Sequence, residues 1–128
     1  MNADSSATIT ESAIGAAFRV SNALGCGFLE RVYENALAHE IRKQGLVVHQ
    51  QRQIHVRYDG IVVGEYCADL LVENCVLIEL KVVEKLMPVH RAQCIIYLRA
   101  CDIPICLLLN FKRAKLEIER IVCNFRES

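Results

Sequence analysis

Val76-Leu77-Ile78-Glu79-Leu80-Lys81-Val82 is the stretch of this sequence that decides the fold. Its apolar, partly β-branched residues predict a strand, and the side chains of a strand alternate between two faces. One face is wholly apolar, whereas the other carries Glu79 and Lys81 beside Leu77. A second carboxylate, Asp69, interrupts the apolar run just upstream. Two carboxylates and a lysine on neighbouring strands are the groups that metal-assisted phosphodiester cleavage requires.

Three helices are predicted from apolar residues that recur every three or four positions. The first spans about residues 10–24, with Thr10 as its N-cap, and the second spans about residues 28–44. The third spans about residues 88–101 and begins with Pro88 in its first turn. The apolar residues expected on the inner faces are Ile9, Ala13, Ala16, Ala17, Val20 and Leu24, then Leu29, Val32, Tyr33, Ala36, Leu37 and Ile41, then Val89, Ala92, Ile96 and Ala100.

Five strands are predicted after the second helix, with the third helix between the third and fourth strands. The two-residue turn Asp59-Gly60 predicts a hairpin between residues 46–58 and a strand that begins at Ile61. This second strand is expected either to bend near Gly64 or to continue as far as Val72. The remaining strands are predicted at residues 76–82, 104–111 and 115–123.

The order ααβββαββ, without a repeat or a linker, predicts an α/β fold of the mixed α+β kind. In such a fold a central mixed β-sheet is flanked by helices. A chain of 128 residues has room for one core. We therefore expect a disordered N-terminus over residues 1–8 and a single domain over residues 9–124.

Composition argues against several classes of protein. No apolar run reaches the roughly 18 residues of a membrane span, and residues 1–12 lack the basic and apolar segments of a signal peptide. A cytoplasmic protein without membrane contact is therefore expected. Fifteen basic and fifteen acidic residues give a net charge of zero, which is less basic than a free-standing nucleic-acid binder usually is. Seven cysteines without a C-x-x-C pair favour buried, reduced thiols over a metal cluster.

The predicted helices carry further candidate residues for a site. Glu30 lies in the first turn of the second helix, where a carboxylate also favours the helix dipole. Gln93 and Tyr97 lie one turn apart on the third helix, and His90 lies one turn before them. Each feature has an ordinary alternative, because a Gln–Tyr pair can be a surface contact and Glu79-x-Lys81 can lie on a solvated strand face. Their combination with a carboxylate on the neighbouring strand favours a metal site.

These residues together carry a resemblance to a known family. Gly27-Phe28-Leu29-Glu30-Arg31-Val32-Tyr33 matches the signature of the GxxExxY family, which the chain resembles over roughly residues 9–122. Further matching stretches are Ala68-Asp69-Leu70-Leu71-Val72-Glu73, Ile78-Glu79-Leu80-Lys81, His90-Arg91-Ala92-Gln93 with Tyr97-Leu98, and Leu108-Leu109-Asn110-Phe111. The family is grouped with the PD-(D/E)XK nuclease superfamily, so the resemblance implies a restriction-endonuclease-like core. Ala68 stands where the superfamily name has proline.

The resemblance implies roles for the residues near the strands. Asp69, Glu79 and Lys81 stand at the D…ExK positions, where the two carboxylates and the backbone carbonyl of Leu80 would hold the metal. Lys81 would assist the attacking water and stabilise developing charge. Glu30 stands at the position of the helix-borne acid and would support the metal directly or through water.

The resemblance also covers the third helix and the activity. Gln93 and Tyr97 match the Q-x-x-x-Y motif of the RecB-type exonuclease branch, and with His90 they would position the substrate. The expected protein is a Mg²⁺-dependent deoxyribonuclease in which Mn²⁺ can substitute. A nuclease with the same site that acts on RNA is the alternative. Two other functions stay open. One is a structure-specific endonuclease of the junction-resolvase type that works as a homodimer or higher oligomer, and the other is a non-catalytic module that binds nucleic acid or protein.

Overall fold

The computed structural model describes the backbone of residues 3–123 and the side chains of residues 6–123. Its elements are α1 (Ala3–Leu24), α2 (Glu30–Arg42), β1 (Val48–Tyr58), β2 (Ile61–Val72), β3 (Val76–Lys81), α3 (Pro88–Cys101), β4 (Ile105–Asn110) and β5 (Glu117–Val122). This order confirms the predicted α/β fold, in which helices flank a mixed sheet. None of the helices in the described residues is long and apolar enough to cross a membrane.

The five strands form one sheet in the order β1-β2-β3-β4-β5. Neighbouring strands are antiparallel except for β3 and β4, which are parallel. A parallel pair needs a crossover connection, and α3 supplies it. The nearly continuous apolar sequences of β3 and β4 follow from this central position, since both of their faces are covered.

Helices cover both faces of the sheet. Helices α1 and α2 pack on one face against residues such as Ile78 and Leu80, whereas α3 packs on the other face against Leu77. Each fully buried leucine or isoleucine contributes about 1.5–3 kcal/mol of hydrophobic stabilisation. Because side chains alternate along β3, Glu79 and Lys81 share the α3 face with Leu77.

Helix α1 begins at Ala3 rather than at Thr10. Thr10 therefore lies inside the helix, fully buried, and does not cap it. Residues 3–8, for which disorder is predicted, form the first turns of α1, and residues 1–2 of that segment lie outside the described residues. Their polar composition suggested disorder, but no glycine or proline interrupts helix formation there.

Helix α2 buries a narrower stripe than predicted. Tyr33, Leu37 and Ile41 lie in the core as expected, but Leu29 is 81% exposed and Val32 is also exposed. The helix begins two residues later than predicted, so Leu29 is its N-cap and lies off the packed face. Only the side of α2 that meets α1 and the sheet is covered.

The prediction for the inner face of α3 was wrong for three of its four residues. Val89, Ala92 and Ile96 are exposed, whereas Ala100 packs against the core as predicted. The buried residues of this helix are Cys94, Tyr97 and Leu98. Apolar residues occur around most of this helix, so periodicity does not select the packed face. The packed face is the one whose side chains, Cys94, Tyr97 and Leu98, join the apolar cluster formed with the sheet.

In both strands of the β1–β2 hairpin, the alternation of side chains between the two faces of the sheet is interrupted at the same position. Strict alternation would place Val48 and Ile54 on one face, yet Val48 packs with α1 and α2 whereas Ile54 packs under α3. Leu70 and Ala68 of β2 differ in the same way. In β1 the change occurs around Gln51, whose φ of 54° lies in the left-handed region. A strand pattern read with a period of two misses this change.

Candidate metal centre

Strands β2 and β3 separate next to the candidate site. Their ladder runs from the connecting turn as far as the pair Leu70–Ile78, and side chains bridge the strands beyond it. The backbone N–H of Asp69 donates to Glu79 Oε1 at 2.7 Å, and the N–H of Leu80 donates to Asp69 Oδ2 at 2.8 Å. These reciprocal hydrogen bonds hold the two carboxylates side by side in the gap between the strands.

The backbone of Leu80 also faces this gap. In a β-strand the N–H and C=O of one residue point to the same edge. Since the N–H of Leu80 reaches Asp69 Oδ2, its carbonyl oxygen is directed to the same side. The gap therefore combines two carboxylates and a main-chain oxygen.

Burial makes the carboxylate pair unfavourable without a cation. Glu79 is only 3% exposed, and burial, followed by the neighbouring Asp69 carboxylate, raises the pKa of Glu79 to about 8. Burial also raises the pKa of Asp69 above its ordinary value. A divalent cation would offset both the desolvation and the mutual repulsion of these groups.

The donor set fits a hard divalent cation. Mg²⁺ and Mn²⁺ take oxygen ligands, and Mg²⁺ is usually bound through one or two carboxylates while it keeps several waters. Among the side chains that the structure describes, those of residues 6–123, no group of three or more His, Cys, Asp or Glu is arranged to hold a metal ion. The protein would therefore supply two carboxylates and one carbonyl, and water or substrate oxygens would supply the remaining ligands.

Glu30 lies near the pair but is not grouped with it. Its side chain is exposed in the first turn of α2. Partial burial and then the charge of Asp69 raise the pKa of Glu30, while Lys81 lowers it. Glu30 thus shares the electrostatic environment of the site, and the arrangement favours support through water over direct ligation.

Lys81 and α3 complete the site on the other side. Lys81 Nζ donates to Gln93 Oε1 at 3.0 Å, which joins the end of β3 to the helix. Tyr97, one turn further on, is buried, and its ring lies 5.6 Å from the ring of Tyr66 on β2. Burial and then the charge of Glu79 raise the pKa of the Tyr97 phenol. The structure thus brings Gln93 to Lys81 and places Tyr97 within the electrostatic influence of Glu79 and Asp69.

His90 does not join this group. Its Nδ1 accepts a hydrogen bond from the Met87 N–H at 2.9 Å and so helps to cap α3. In the part of the chain that the structure describes, no hydrogen bond or ion pair links it to the carboxylates or to Lys81. This hydrogen bond gives His90 a structural role, because the start of α3 needs acceptors for its free N–H groups, and its role in positioning the substrate stays a prediction.

Tyr33 explains why Glu30 stands at the start of α2. The Tyr33 hydroxyl donates to the Gly25 carbonyl at 2.6 Å and accepts from the Phe28 N–H at 3.3 Å, so it fixes the α1–α2 loop. Its ring stacks on Phe111 with centroids 4.8 Å apart. The loop is thereby anchored to the core immediately before the first turn of α2, which carries Glu30.

Sequence reasoning missed two residues beside the pair. Glu34 is 2% exposed, and its Oε1 accepts a hydrogen bond from Gln51 Nε2 at 2.8 Å. Gln51 Nε2 also lies 3.4 Å from Asp69 Oδ1. One signal for Glu34 was available, because a carboxylate one turn after Glu30 lies within the apolar stripe of α2. No sequence signal pointed to Gln51, since it depends on the change of face in β1.

Comparison with known proteins gives one match. A family model described as the PD-(D/E)XK nuclease superfamily matches residues 7–121. Neither a curated protein nor a solved structure matches the chain significantly. The narrower resemblance to the GxxExxY family stays a prediction based on Gly27, Glu30 and Tyr33.

Proposed function

This chain belongs to the PD-(D/E)XK nuclease superfamily, and on that premise we propose that it is a metal-dependent nuclease that hydrolyses phosphodiester bonds of DNA. The observation that carries the proposal is the reciprocal hydrogen bonding of Asp69, Glu79 and Leu80 across the gap between β2 and β3. It holds the buried Glu79 carboxylate beside the partly buried carboxylate of Asp69, with Lys81 on the same face of β3 as Glu79.

The proposed cofactor is Mg²⁺, with Mn²⁺ as a substitute. Asp69, Glu79 and the Leu80 carbonyl would hold the ion, and Glu30 would bind one of its waters. Such an ion polarises a phosphate and lowers the pKa of a bound water. Because the gap between the strands limits the access of bulk water, the attraction between the ion and the two carboxylates would be stronger there than in solution.

Residues on β3 and α3 would act on the phosphate. Lys81, fixed by Gln93, is a compact cation that can balance negative charge developing on the phosphate and orient the attacking water. Tyr97 keeps its phenolic proton because burial and the nearby carboxylates raise its pKa. It can therefore donate a hydrogen bond to a phosphate oxygen, or lock α3 against the site.

A basic surface next to the site supports a nucleic-acid substrate. We call Lys85, Lys112, Arg113 and Lys115 the basic rim; they lie on the loops that follow β3 and β4. Three of them line a groove of about 500 Å³ together with Glu84 and Glu117. Neutralising phosphates with such side chains is the main source of affinity for nucleic acid.

Asn110 ties the basic rim to the candidate metal centre. It pairs with Lys81 in the β3–β4 register and is buried. Its amide exchanges hydrogen bonds with both backbone groups of Val83 and accepts one from the Lys112 N–H. The two loops are thus held together directly beyond Lys81, next to the candidate metal centre.

Cleavage assays with point variants test the proposal. Asp69→Asn and Lys81→Ala are each expected to abolish Mg²⁺-dependent cleavage of DNA while circular dichroism and melting temperature stay near those of the parent. Asp59→Asn is the matched control, because Asp59 lies in the β1–β2 turn with a φ of 54° that asparagine also tolerates. Parent-like cleavage by rigorously purified Asp69→Asn protein contradicts the proposal.

A structure-specific endonuclease acting as a homodimer is the second candidate. The tip of the β1–β2 hairpin favours it, since Tyr58 is 73% exposed and Ile61 and Val63 are also exposed. Exposed apolar patches of this kind mark interaction surfaces. Incubation with linear duplex, single strands, RNA and four-way junctions distinguishes the candidates: cuts at the branch by a dimeric species favour the resolvase, and products shortened from the ends favour an exonuclease.

The cytoplasm is the proposed compartment. All seven cysteines are free, and three of them, Cys75, Cys94 and Cys106, are buried as expected. Cys26 and Cys67 are exposed, contrary to the expectation of buried thiols. Free thiols favour a reducing environment.

A further inference from the structure

Gln51 lies opposite Asp69 at the point where the hairpin changes face. The antiparallel register pairs Gln50 with Leu70, so the next residues along the two strands, Gln51 and Asp69, face each other. Gln51 is the one residue in the interior of β1 with a positive φ. The backbone irregularity and the candidate metal ligand are therefore at the same level of the sheet.

The Gln51 carboxamide contacts two carboxylates at once. Its Nε2 donates to Glu34 Oε1 at 2.8 Å and lies 3.4 Å from Asp69 Oδ1. A carboxamide nitrogen has two hydrogens, so it can serve both acceptors. The Cys67 thiol donates to Gln51 Oε1 at 3.4 Å, which fixes the direction in which the amide nitrogen points.

Glu34 is a fixed anchor for this amide. It is buried on α2 and also accepts a hydrogen bond from Gln50 Nε2 at 2.9 Å, and Arg31 Nε lies 3.3 Å from its Oε1. Asp69 Oδ2 is already held by the Leu80 N–H. The Gln51 amide therefore links an immobile carboxylate to the second oxygen of Asp69.

The left-handed backbone at Gln51 is unfavourable in itself. Positive φ is destabilising for any residue that has a Cβ, and it is found where surrounding contacts hold the residue in place. A regular strand conformation would direct the side chain of residue 51 to the opposite face from that of residue 50. Instead, both Gln50 and Gln51 reach Glu34. The strained conformation is what brings the second amide to the carboxylates.

From these contacts we infer that Gln51 is a positioning residue of the metal centre, whose carboxamide, aimed by a left-handed backbone, sets the orientation of the Asp69 carboxylate. It acts through Asp69 and does not itself hold the metal. The inference rests on the proposed metal-dependent function. It also assigns Glu34 a role, as the anchor of the Gln51 amide.

Two substitutions distinguish the effect of losing the amide from the effect of relieving the backbone strain. Gln51→Gly and Gln51→Ala both remove the carboxamide, but only alanine keeps a Cβ at positive φ. We expect the glycine variant to melt about 3–8 °C above the alanine variant. Both should bind Mn²⁺ about 10- to 100-fold more weakly than the parent, as measured by calorimetry on the full chain.

This combination distinguishes positioning from general stabilisation. If Gln51 were merely structural, Mn²⁺ affinity would follow melting temperature, and a folded Gln51→Gly protein would bind Mn²⁺ like the parent; either result overturns the inference. Gln53→Ala is the matched control, an exposed glutamine two residues along the same strand, and should leave Mn²⁺ affinity unchanged. Absence of Mn²⁺ binding by the parent itself would instead overturn the proposed function.

Discussion

At the scale of single side chains, the Asp69–Glu79 pair is the core of the proposed metal centre. Each carboxylate accepts a backbone N–H from the strand that carries the other, which fixes their positions. Burial nevertheless raises the pKa of both. Ionisation of these groups therefore opposes folding, and a bound cation would offset this cost.

Glu79→Gln is expected to stabilise the metal-free protein at alkaline pH. The pKa of Glu79 is raised from 4.5 in the unfolded chain to about 8 in the folded one. The folded state thus binds more protons between these values, and the free energy of unfolding falls as the pH rises through that window. At about 1.4 kcal/mol per pKa unit, the gain from Gln is on the order of a few kcal/mol at pH 8–9 and small near pH 5.

Urea unfolding in EDTA at several pH values measures this difference. Glu65→Gln is the control, because Glu65 is an exposed carboxylate on β2 and its loss should change the pH profile little. A Glu79→Gln protein whose unfolding free energy falls with pH in parallel with that of the parent would show that Glu79 does not carry the effect.

Sequence reasoning located the charged residues that interrupt apolar strands and failed where backbone geometry decides. Asp69, Glu79 and Lys81 stand out because strands of a covered sheet are otherwise apolar. Gln51 is an ordinary glutamine in sequence, and only its left-handed backbone gives it a place beside Asp69. His90 fitted the motif but serves the N-terminus of α3.

At the scale of elements, local sequence signals predicted the order of helices and strands, but they did not predict which face of a helix packs against the core. Asp59-Gly60 and Pro88 marked a turn and a helix start, because both depend on backbone preferences of the residues themselves. The packed face of α3 depends on tertiary contacts such as Lys81 with Gln93. Where a helix has no clearly polar side, its sequence does not identify the buried face, which is then determined by the elements packed against it.

Two alanine variants test which face of α3 is packed. Leu98 is fully buried and Ile96 is 42% exposed. Leu98→Ala should therefore lower the free energy of unfolding by about 2–5 kcal/mol, whereas Ile96→Ala should lower it by less than about 1 kcal/mol. Chemical denaturation gives both values. Equal losses, or a larger loss for Ile96→Ala, would mean that the helix is rotated relative to the sheet.

At the scale of the whole molecule, zero net charge conceals local differences in charge. Asp69 and Glu79 lie together in the gap between β2 and β3, while the basic rim, interspersed with Glu84 and Glu117, lies on the loops just beyond Lys81. Two of its members are engaged by an acid, since Glu84 lies 2.9 Å from Arg113 and 3.8 Å from Lys112. A nucleic-acid backbone would replace this internal partner.

Removing two cations of the rim should weaken DNA binding in a salt-dependent way. With Lys85→Ala and Lys115→Ala combined, the slope of log affinity against log salt should fall in magnitude by about two, one for each lost phosphate contact. Fluorescence anisotropy with a DNA duplex, in the Asp69→Asn background to prevent cleavage, measures the slope. Lys43→Ala, on the far end of α2 beside Glu40, is the control. An unchanged slope would remove the basic rim from the binding surface.

Calorimetric titration of Mn²⁺ into the parent and Asp69→Asn proteins, with and without a DNA oligonucleotide, tests the central claim most directly. The account predicts one binding event at millimolar or lower concentration in the parent, lost in Asp69→Asn although that protein stays folded. Equal binding by both proteins would place the metal elsewhere. No binding by the parent under either condition would contradict the enzyme and favour a module that uses this fold only to bind.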